Sequence, residues 1–304
     1  MLKTIVLTGA TGVFGSKLLE GLLNNGYDVI CIKRSLSSFK LVKDISDKCT
    51  WYSVDDMEKA FKEKKISGVI HTVTTYGKKT EEYFDVYESN LVLPLKLLSF
   101  AQKYECQYFI NTGTFFDKEL VGGWDEKDKV YVDTYVKLKN IFEHIAKDYV
   151  KELKPLFINM RLEHVYSSCD ERKFVNFIIK SLINNVEVLN LSEGRQERDW
   201  IYIGDVVDAY LKVIKKIDQF KVGQYHQLEI GTGVTTSVRD FVKLAKTAVN
   251  SNTRLNFGKV AMNKGELEYS KADTKFIKQF GWTPKYDIHK GFEKVVTDIK
   301  GEMK

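Results

Sequence analysis

The chain has 304 residues, 43% of them hydrophobic and 29% charged, with a formal net charge of +6. That length buries a substantial core in one or two domains, and the composition is that of a globular protein rather than a disordered or fibrous one. The charge excess is modest and forms no block of Lys and Arg, so it excludes a nucleic-acid stripe and reads as a Lys-rich surface, mildly favourable to an anionic ligand.

Residues 4–8 (TIVLT) form a short β-branched run with the character of a buried strand. GATGVFG follows, and then SKLLEGLLNNG, in which Leu18, Leu19, Leu22 and Leu23 share a helical face that Gly26 ends. YDVICIKR supplies a second strand directly afterwards, completing a βαβ unit within about 30 residues. The rhythm continues with GVIHTV (68–73) as a strand, NLVLPLKLLSFAQK as a helix, QYFINTG as a strand, TYVKLKNIFEHIAKDYV as a helix and LFINMRL as a strand. Strands alternating with helices predict an α/β fold, a Rossmann-type doubly wound parallel sheet covered on both faces. Beyond it, FVNFIIKSLI and a Gly-, Trp- and Pro-containing tail break the rhythm. They suggest a smaller C-terminal lobe interleaved with the first domain, with residues 1–166 and 198–233 in the dinucleotide-binding part and 167–197 and 234–304 in the substrate lobe.

The four cysteines (Cys31, Cys49, Cys106, Cys169) are widely spaced without a CxxC pair, and the five histidines are scattered. No disulfide framework or metal site is expected, and the thiols suit a reduced, cytoplasmic setting. The N-terminus runs straight into a strand, leaving no room for a signal peptide, and no apolar stretch approaches the about 20 residues that a membrane span requires.

Gly9, Gly12 and Gly15 occupy the turn between the first strand and helix, together with Thr11, Val13 and Phe14. Glycine allows a tight turn and close approach of backbone to a pyrophosphate, which the helix N-terminus attracts. A close-packed corner without ligand is the plainer alternative, but the surrounding βαβ rhythm favours a dinucleotide. The second strand ends in Lys33-Arg34-Ser35, where an NAD-preferring site places Asp or Glu for the ribose 2′-hydroxyl. Cations there can pair with a 2′-phosphate, which favours NADP(H) over a reading as an ordinary basic loop.

Tyr135 and Lys139 lie four residues apart on a predicted helix and so share a face. An ammonium beside a phenol lowers the phenol's pKa and equips it for proton transfer near neutrality. The strand end FINTGTFF places Thr112 and Thr114 one loop earlier, where Thr114 can bond the same substrate oxygen. The same Tyr/Lys spacing recurs at Tyr286 and Lys290, away from this strand end, and reads there as a surface coincidence.

The ordered set TGATGVFG, VIHTVTTYG, FINTGTFF, Tyr135/Lys139, RLEHVY, RDWIYIGDVVDAY and IGTGVTTSVRDFV resembles the extended short-chain dehydrogenase/reductases that modify nucleotide sugars. The resemblance runs through the tail GELEYSKADTKFIKQFGWTPKYDIHKG. Within that family, NTGTFF, NMRLEHVY and VIHTVTTYGKKT are most similar to CDP-abequose and CDP-paratose synthases, which reduce the 4-keto group of a CDP-linked 3,6-dideoxyhexulose.

The resemblance implies that Asp55 lies near the adenine and that Thr72, Val73, Thr112 and Asn90 line the cofactor. It further implies that Tyr76, Glu163 and His164 sit at the sugar nucleotide, that Arg198 holds its pyrophosphate, and that two chains form a homodimer. A histidine merely satisfied at a strand end is the competing reading of His164. The family often carries Gly-Pro-Gly-Asp where this chain has Ser167-Ser168-Cys169-Asp170, and a serine or aspartate where it has Gly113. Its 4,6-dehydratases place an acidic pair after the catalytic threonine, whereas here Phe115 and Phe116 follow Thr114. That substitution argues against dehydration and for an apolar wall in the substrate pocket, although each ring alone could equally be core packing.

Overall fold

A computed structural model of the chain describes residues 3–77, 82–116, 134–170, 174–262 and 267–302. Lys78, Lys79 and Thr80 of the VIHTVTTYGKKT segment, and Gly265 and Glu266 of the tail, lie outside the described residues.

The first unit comprises Met1–Asp117, Val132–Arg161 and Val207–Leu228. Its strands are β1 (Thr4–Thr8), β2 (Asp28–Lys33), β3 (Thr50–Ser53), β4 (Gly68–His71), β5 (Tyr108–Thr114) and β6 (Leu156–Leu162), joined by β11 (His226–Ile230). The sheet order is β11-β6-β5-β4-β1-β2-β3, and the pairs β5–β4, β4–β1, β1–β2 and β2–β3 are parallel. Strands buried on both faces read as unbroken apolar runs, which is why TIVLT has no exposed residue.

The chain winds outward from β1 in both directions, so the crevice beyond the C-terminal ends of β1 and β4 is the topological switch point. Helix α1 (Val13–Asn24) leaves β1 through the glycine turn and buries Leu18, Leu19 and Leu22. Gly26, with φ of +76°, then adopts the left-handed conformation that ends it. Helices α2 (Met57–Glu63), α3 (Tyr83–Tyr87), α4 (Leu93–Lys103) and α5 (Thr134–Tyr149) belong to the same unit.

Four elements of this unit were not expected. β3 and α2 are short, and β3 has no fully buried residue because it is the sheet edge, so its sequence shows little apolar alternation. The helix expected from Asn90 onward is preceded by α3 and by a π-helical stretch at Glu88–Val92. Pro94 falls in the first turn of α4, where its missing N–H costs little.

The second unit includes Leu162–Val206 and Glu229–Lys304. It holds β7 (His164–Tyr166), α6 (Phe174–Ile183), β8 (Val188–Leu191), β9 (Glu197–Arg198), β10 (Trp200–Tyr202), β12 (Thr236–Ser237), α8 (Val238–Val249), β13 (Arg254–Phe257), α9 (Lys275–Gln279) and α10 (Ile288–Glu302). Helix α7 (Ile203–Lys215) carries the chain back to the first unit. The core of the second unit stacks Trp200 on Phe241 at 3.9 Å between ring centres, with Phe292 4.6 Å from Phe241. Among the described residues no helix is long and apolar enough to cross a membrane, and no group of His, Cys, Asp or Glu could hold a metal ion.

Gly68, at the start of β4, is held small by the sheet itself, since a Cβ there would fall 2.1 Å from the buried Tyr108 ring. Gly68→Ala is therefore expected to lower the unfolding free energy by roughly 1–3 kcal/mol, the usual range for forcing a methyl into a packed core. Urea denaturation of the two proteins checks this.

Candidate active site

The site begins at the last residues of β1 and β4, which are partners in register: Thr8 faces His71, and His71 faces Asn111 of β5. Thr8 Oγ1 lies 2.8 Å from His71 Nδ1, and both side chains are buried. Burial, with a smaller contribution from the charge of Lys139, pushes the His71 imidazolium down to about 3, so the ring is neutral at physiological pH.

Directly beyond Thr8, Gly9 turns with φ of +79°. A Cβ on Gly9 would lie 2.4 Å from Thr72 Oγ1, and one on Gly15 would lie 2.0 Å from the Gly9 carbonyl. Thr72 Oγ1 donates to the Thr8 carbonyl at 2.8 Å, tying the two strand ends together, and half-buried Val73 follows it. Gly12 caps α1 without a side-chain acceptor, and the first turn, which includes Val13, Phe14 and Gly15, carries no acidic residue. Thr11 is half-buried in this turn, and Phe14 packs edge-on against Tyr210 at 5.1 Å. A turn with this close backbone approach and an uncompensated helix dipole fits a pyrophosphate.

The β2 end is basic and open. Lys33 Nζ donates to the carbonyls of Arg34 and Ser35 and stands 5.0 Å from the Phe39 ring centre, while Arg34 and Ser35 are exposed. Asp55 is also exposed, next to Val54, whose N–H donates to the Lys33 carbonyl. Lys33 and Arg34 give this strand end two cations, with the Asp55 carboxylate on the neighbouring segment.

Helix α5 carries Tyr135 and Lys139 on its buried face. Lys139 Nζ donates to the Thr112 carbonyl at 2.8 Å, which docks the helix on the end of β5. The Thr112 hydroxyl meets the Tyr210 hydroxyl at 2.7 Å, and burial pushes the Tyr210 phenol well up. The two threonines of the strand end therefore differ: Thr112 anchors, whereas Thr114 is half-buried and its Oγ1 accepts only a long contact, 3.5 Å, from the Phe116 N–H. The Tyr135 ring packs edge-on against Tyr76 at 4.9 Å and against Phe116 at 6.5 Å. Phe115 is buried and lies 4.0 Å from the partly exposed Phe116. Asn90 Nδ2 donates to the Thr75 and Val86 carbonyls, so the π-helical stretch is tied to the segment after β4.

Behind these residues runs a polar network that the sequence did not signal. Asn111 Nδ2 donates to Asn159 Oδ1, Asn159 Nδ2 to Glu143, and the Tyr225 hydroxyl to Glu143 at 2.6 Å. Burial raises the Glu143 carboxyl, but hydrogen bonds from Lys147 and Tyr225 and the charges of Lys147 and Arg161 outweigh it and hold it low. Its one sequence-level trace is the four-residue spacing Tyr135, Lys139, Glu143, Lys147 along one helix face.

In the second unit, the Glu163 carboxylate accepts a hydrogen bond from Ser270 Oγ, and the His164 ring packs against Trp200 at 5.4 Å. The His164 N–H donates to the carbonyl of Asp199. Arg198 is buried, and it donates to the main-chain carbonyls of Glu197 and Leu267. The repeat of the Tyr/Lys spacing does not form a pair on one helix: Tyr286 precedes α10 and packs on Tyr202, and Lys290 is exposed on that helix.

A match to the NAD dependent epimerase/dehydratase family covers residues 5–231, from β1 through the sheet and its returning strand. The chain belongs to that family. CDP-abequose synthase of Salmonella muenchen is 34% identical over 298 residues, 97% of each chain. A CDP-abequose synthase of Salmonella typhimurium is 33% identical over 299 residues, 96% of this chain and 97% of the other. Among solved structures, UDP-glucose 4-epimerase of Thermotoga maritima with UDP-glucose superposes with a TM-score of 0.83 at 25% identity, covering 99% of this chain and 100% of that one. The fold is shared with dTDP-glucose 4,6-dehydratase of Bacillus anthracis in complex with NAD, at a TM-score of 0.79 and 19% identity over 98% of this chain and 97% of that one.

Because the folded His71 titrates near 3 and an ordinary histidine near 6.5, the unfolded chain binds a proton in that interval that the folded chain refuses. Stability from this group is complete above pH 6.5 and falls by about 1.4 kcal/mol per pH unit as pH drops toward 3. His71→Asn removes that slope, so the stability gap between variant and native protein should narrow as urea unfolding is repeated from neutral to acid pH. A gap that stays constant over that range would contradict the assignment.

Proposed function

We propose that the chain is an NADPH-dependent reductase acting on the C4 keto group of a nucleotide-linked deoxyhexulose, such as CDP-4-keto-3,6-dideoxyglucose, and yielding the 4-hydroxy sugar. The observation that carries this reading is Phe115-Phe116 directly after Thr114, with Phe116 and Tyr76 flanking the Tyr135 ring. An elimination of water from the sugar needs an acid and a base at the reacting carbons; two aromatic rings at these positions supply neither. Reduction needs one proton donor, one polarising group and a nonpolar surface, and the strand end and α5 supply all three. The similarity to CDP-abequose synthases supports the same substrate class.

NADPH, when bound, supplies the hydride. Gly9, Thr11, Gly12, Val13, Phe14 and Gly15 cradle its pyrophosphate; Lys33, Arg34 and Ser35 take the 2′-phosphate; Asp55 borders the adenine; and Thr72, Val73, Asn90 and Thr112 line its path. Thr114 Oγ1 donates to the substrate carbonyl, and Tyr135 gives the proton to the same oxygen. Lys139, bonded to the Thr112 carbonyl, keeps its charge close to the Tyr135 face of α5 and eases the loss of that proton. Phe115 and Phe116 wall the deoxygenated side of the sugar, and Tyr76 closes the opposite edge. Glu163, His164 and Arg198 take the sugar nucleotide, with Arg198 turning from main-chain carbonyls to the pyrophosphate. The product feeds deoxysugar and surface polysaccharide (O-antigen) assembly in the cytoplasm, by a homodimer in the arrangement common to the family.

The likeness to UDP-glucose 4-epimerase supports one alternative, in which the same Tyr/Lys pair oxidises and re-reduces C4 on a retained NAD. The exposed basic end of β2 favours the reductase, because NADPH has to exchange at each turnover.

Coenzyme oxidation measured with CDP-, dTDP- and GDP-linked 4-keto-6-deoxy sugars, including the CDP 3-deoxy form, separates the two. NADPH loss with a CDP sugar is expected; interconversion of 4-hydroxy epimers without added coenzyme would support the epimerase instead. Tyr135→Phe should lower turnover by about 100-fold or more, the scale of a lost proton donor, and leave NADPH binding unchanged. A fully active variant would refute the role of Tyr135.

A further inference from the structure

Cys31 sits in the middle of β2, fully buried, with Leu7 of β1 and Trp51 of β3 as its register partners. Cys49 immediately precedes β3 and is half-buried. It is two residues from Trp51, so strand alternation turns both toward the sheet face that Cys31 uses, and the two Sγ atoms are 3.8 Å apart. Neither sulfur takes part in the reduction proposed above. The outer thiol has the character of a nucleophile: a hydrogen bond from Cys31 holds Cys49 below the ordinary thiol range, while burial pushes Cys31 well above it. Cys106 differs, because burial pushes its thiol up to about 12.

The segment that leads to Cys49 is wired to the basic end of β2. Trp51 Nε1 donates to the Ser46 carbonyl at 2.8 Å, the same carbonyl that lies 3.6 Å from Cys49 Sγ. Phe39 packs edge-on against Trp51 at 4.8 Å, and Lys33 Nζ stands over Phe39.

We propose that Cys31 and Cys49 are an oxidisable dithiol, closed to an intramolecular disulfide by a small-molecule disulfide, and that closure weakens NADPH binding. The second half rests on the cofactor reading above, whereas the first does not. The Cys49 thiolate attacks one sulfur of the small disulfide, forming a mixed disulfide and releasing the first small thiol. Cys31 then gives up its proton and attacks Cys49 Sγ, and the second small thiol leaves. The protein loses two electrons and two protons, and the small disulfide is reduced to two thiols. A disulfide needs the sulfurs about 2.0 Å apart. Cys31 is held by strand pairing on both sides, so the movement falls on Cys49 and Ser46, and it passes through Trp51 and Phe39 to Lys33.

The experiment treats the whole protein with oxidised glutathione and maps disulfide-linked peptides by mass spectrometry, with NADPH and NADH affinities measured before and after. A link between the Cys31 and Cys49 peptides is expected, reversed by dithiothreitol, with NADPH affinity falling several-fold and NADH affinity changing less. Cys49→Ser should bind NADPH as the reduced protein does and lose the response to oxidant. No Cys31–Cys49 link, or a stable glutathione adduct on Cys49 alone, would overturn the dithiol. A link that leaves NADPH affinity unchanged would overturn its effect on the cofactor. Reduced protein that binds neither coenzyme would strike at the cofactor reading, while the peptide map would still decide the dithiol.

Discussion

A lysine ammonium that is only 7% exposed beside the end of a parallel sheet must be matched by acceptors, because a buried unpaired charge costs several kcal/mol. Lys139 donates to the Thr112 carbonyl, and much of the surrounding geometry depends on that bond. It sets the height of α5 on β5 and thereby the position of Tyr135, one helical turn away on the same face. Its charge also helps to keep His71 neutral, and a neutral ring can share one proton with Thr8 across the ends of β1 and β4. The glycine turn starts at the next residue, so that turn and α5 are referred to one set of strand ends.

The second attachment of α5 lies one turn further on. Glu143 binds Asn159 of β6 and Tyr225, and Asn159 reaches Asn111 of β5, so the helix is pinned to two neighbouring strands by a fully engaged polar chain rather than by apolar contact alone. Such chains hold one register, since a shift would leave a buried carboxylate without donors. They also account for Gly113. A Cβ at that position would lie 2.9 Å from the Asn159 amide, so a larger residue there would push against the bonded Asn159 side chain.

The sheet was legible because its strands are covered on both faces and its first helix carries leucines at helical spacing. TIVLT and the segment 156–162 were read as strands with the bounds the structure gives them, whereas 174–183, a helix, was read only as an apolar run. The edge strand β3 was not, since a strand covered on one side needs little apolar patterning. Of the site, the glycines and the Tyr135/Lys139 pair stood out because their spacing is local. What stayed hidden is held by distant partners: His71 with Thr8, Thr112 with Tyr210 and Glu143 with Asn159, each joined through the sheet order. The sequence already set Thr114, read as facing the substrate, apart from Thr112, read as lining the cofactor, but the bond from Thr112 to the buried Tyr210 hydroxyl, which makes Thr112 an anchor, left no local trace.

In the proposed reaction, exchange of the coenzyme would place a further demand on the basic end of β2. A reductase releases its spent cofactor at every turnover, so contacts to the 2′-phosphate should select without trapping. Lys33 is the half-buried last residue of β2 and Arg34 the exposed residue after it, and for such partly solvated cations an ion pair contributes on the order of 1 kcal/mol or less and is weakened by salt. In the proposed reductase, discrimination by several such contacts, with Lys33 held over Phe39, would give preference with rapid release. An epimerase faces the opposite demand, because losing its cofactor in mid-reaction strands a keto sugar. On that proposal, Phe115 and Phe116 at the end of β5 would wall the sugar and the basic end of β2 would hold the coenzyme loosely, so one reaction asks both features of the chain.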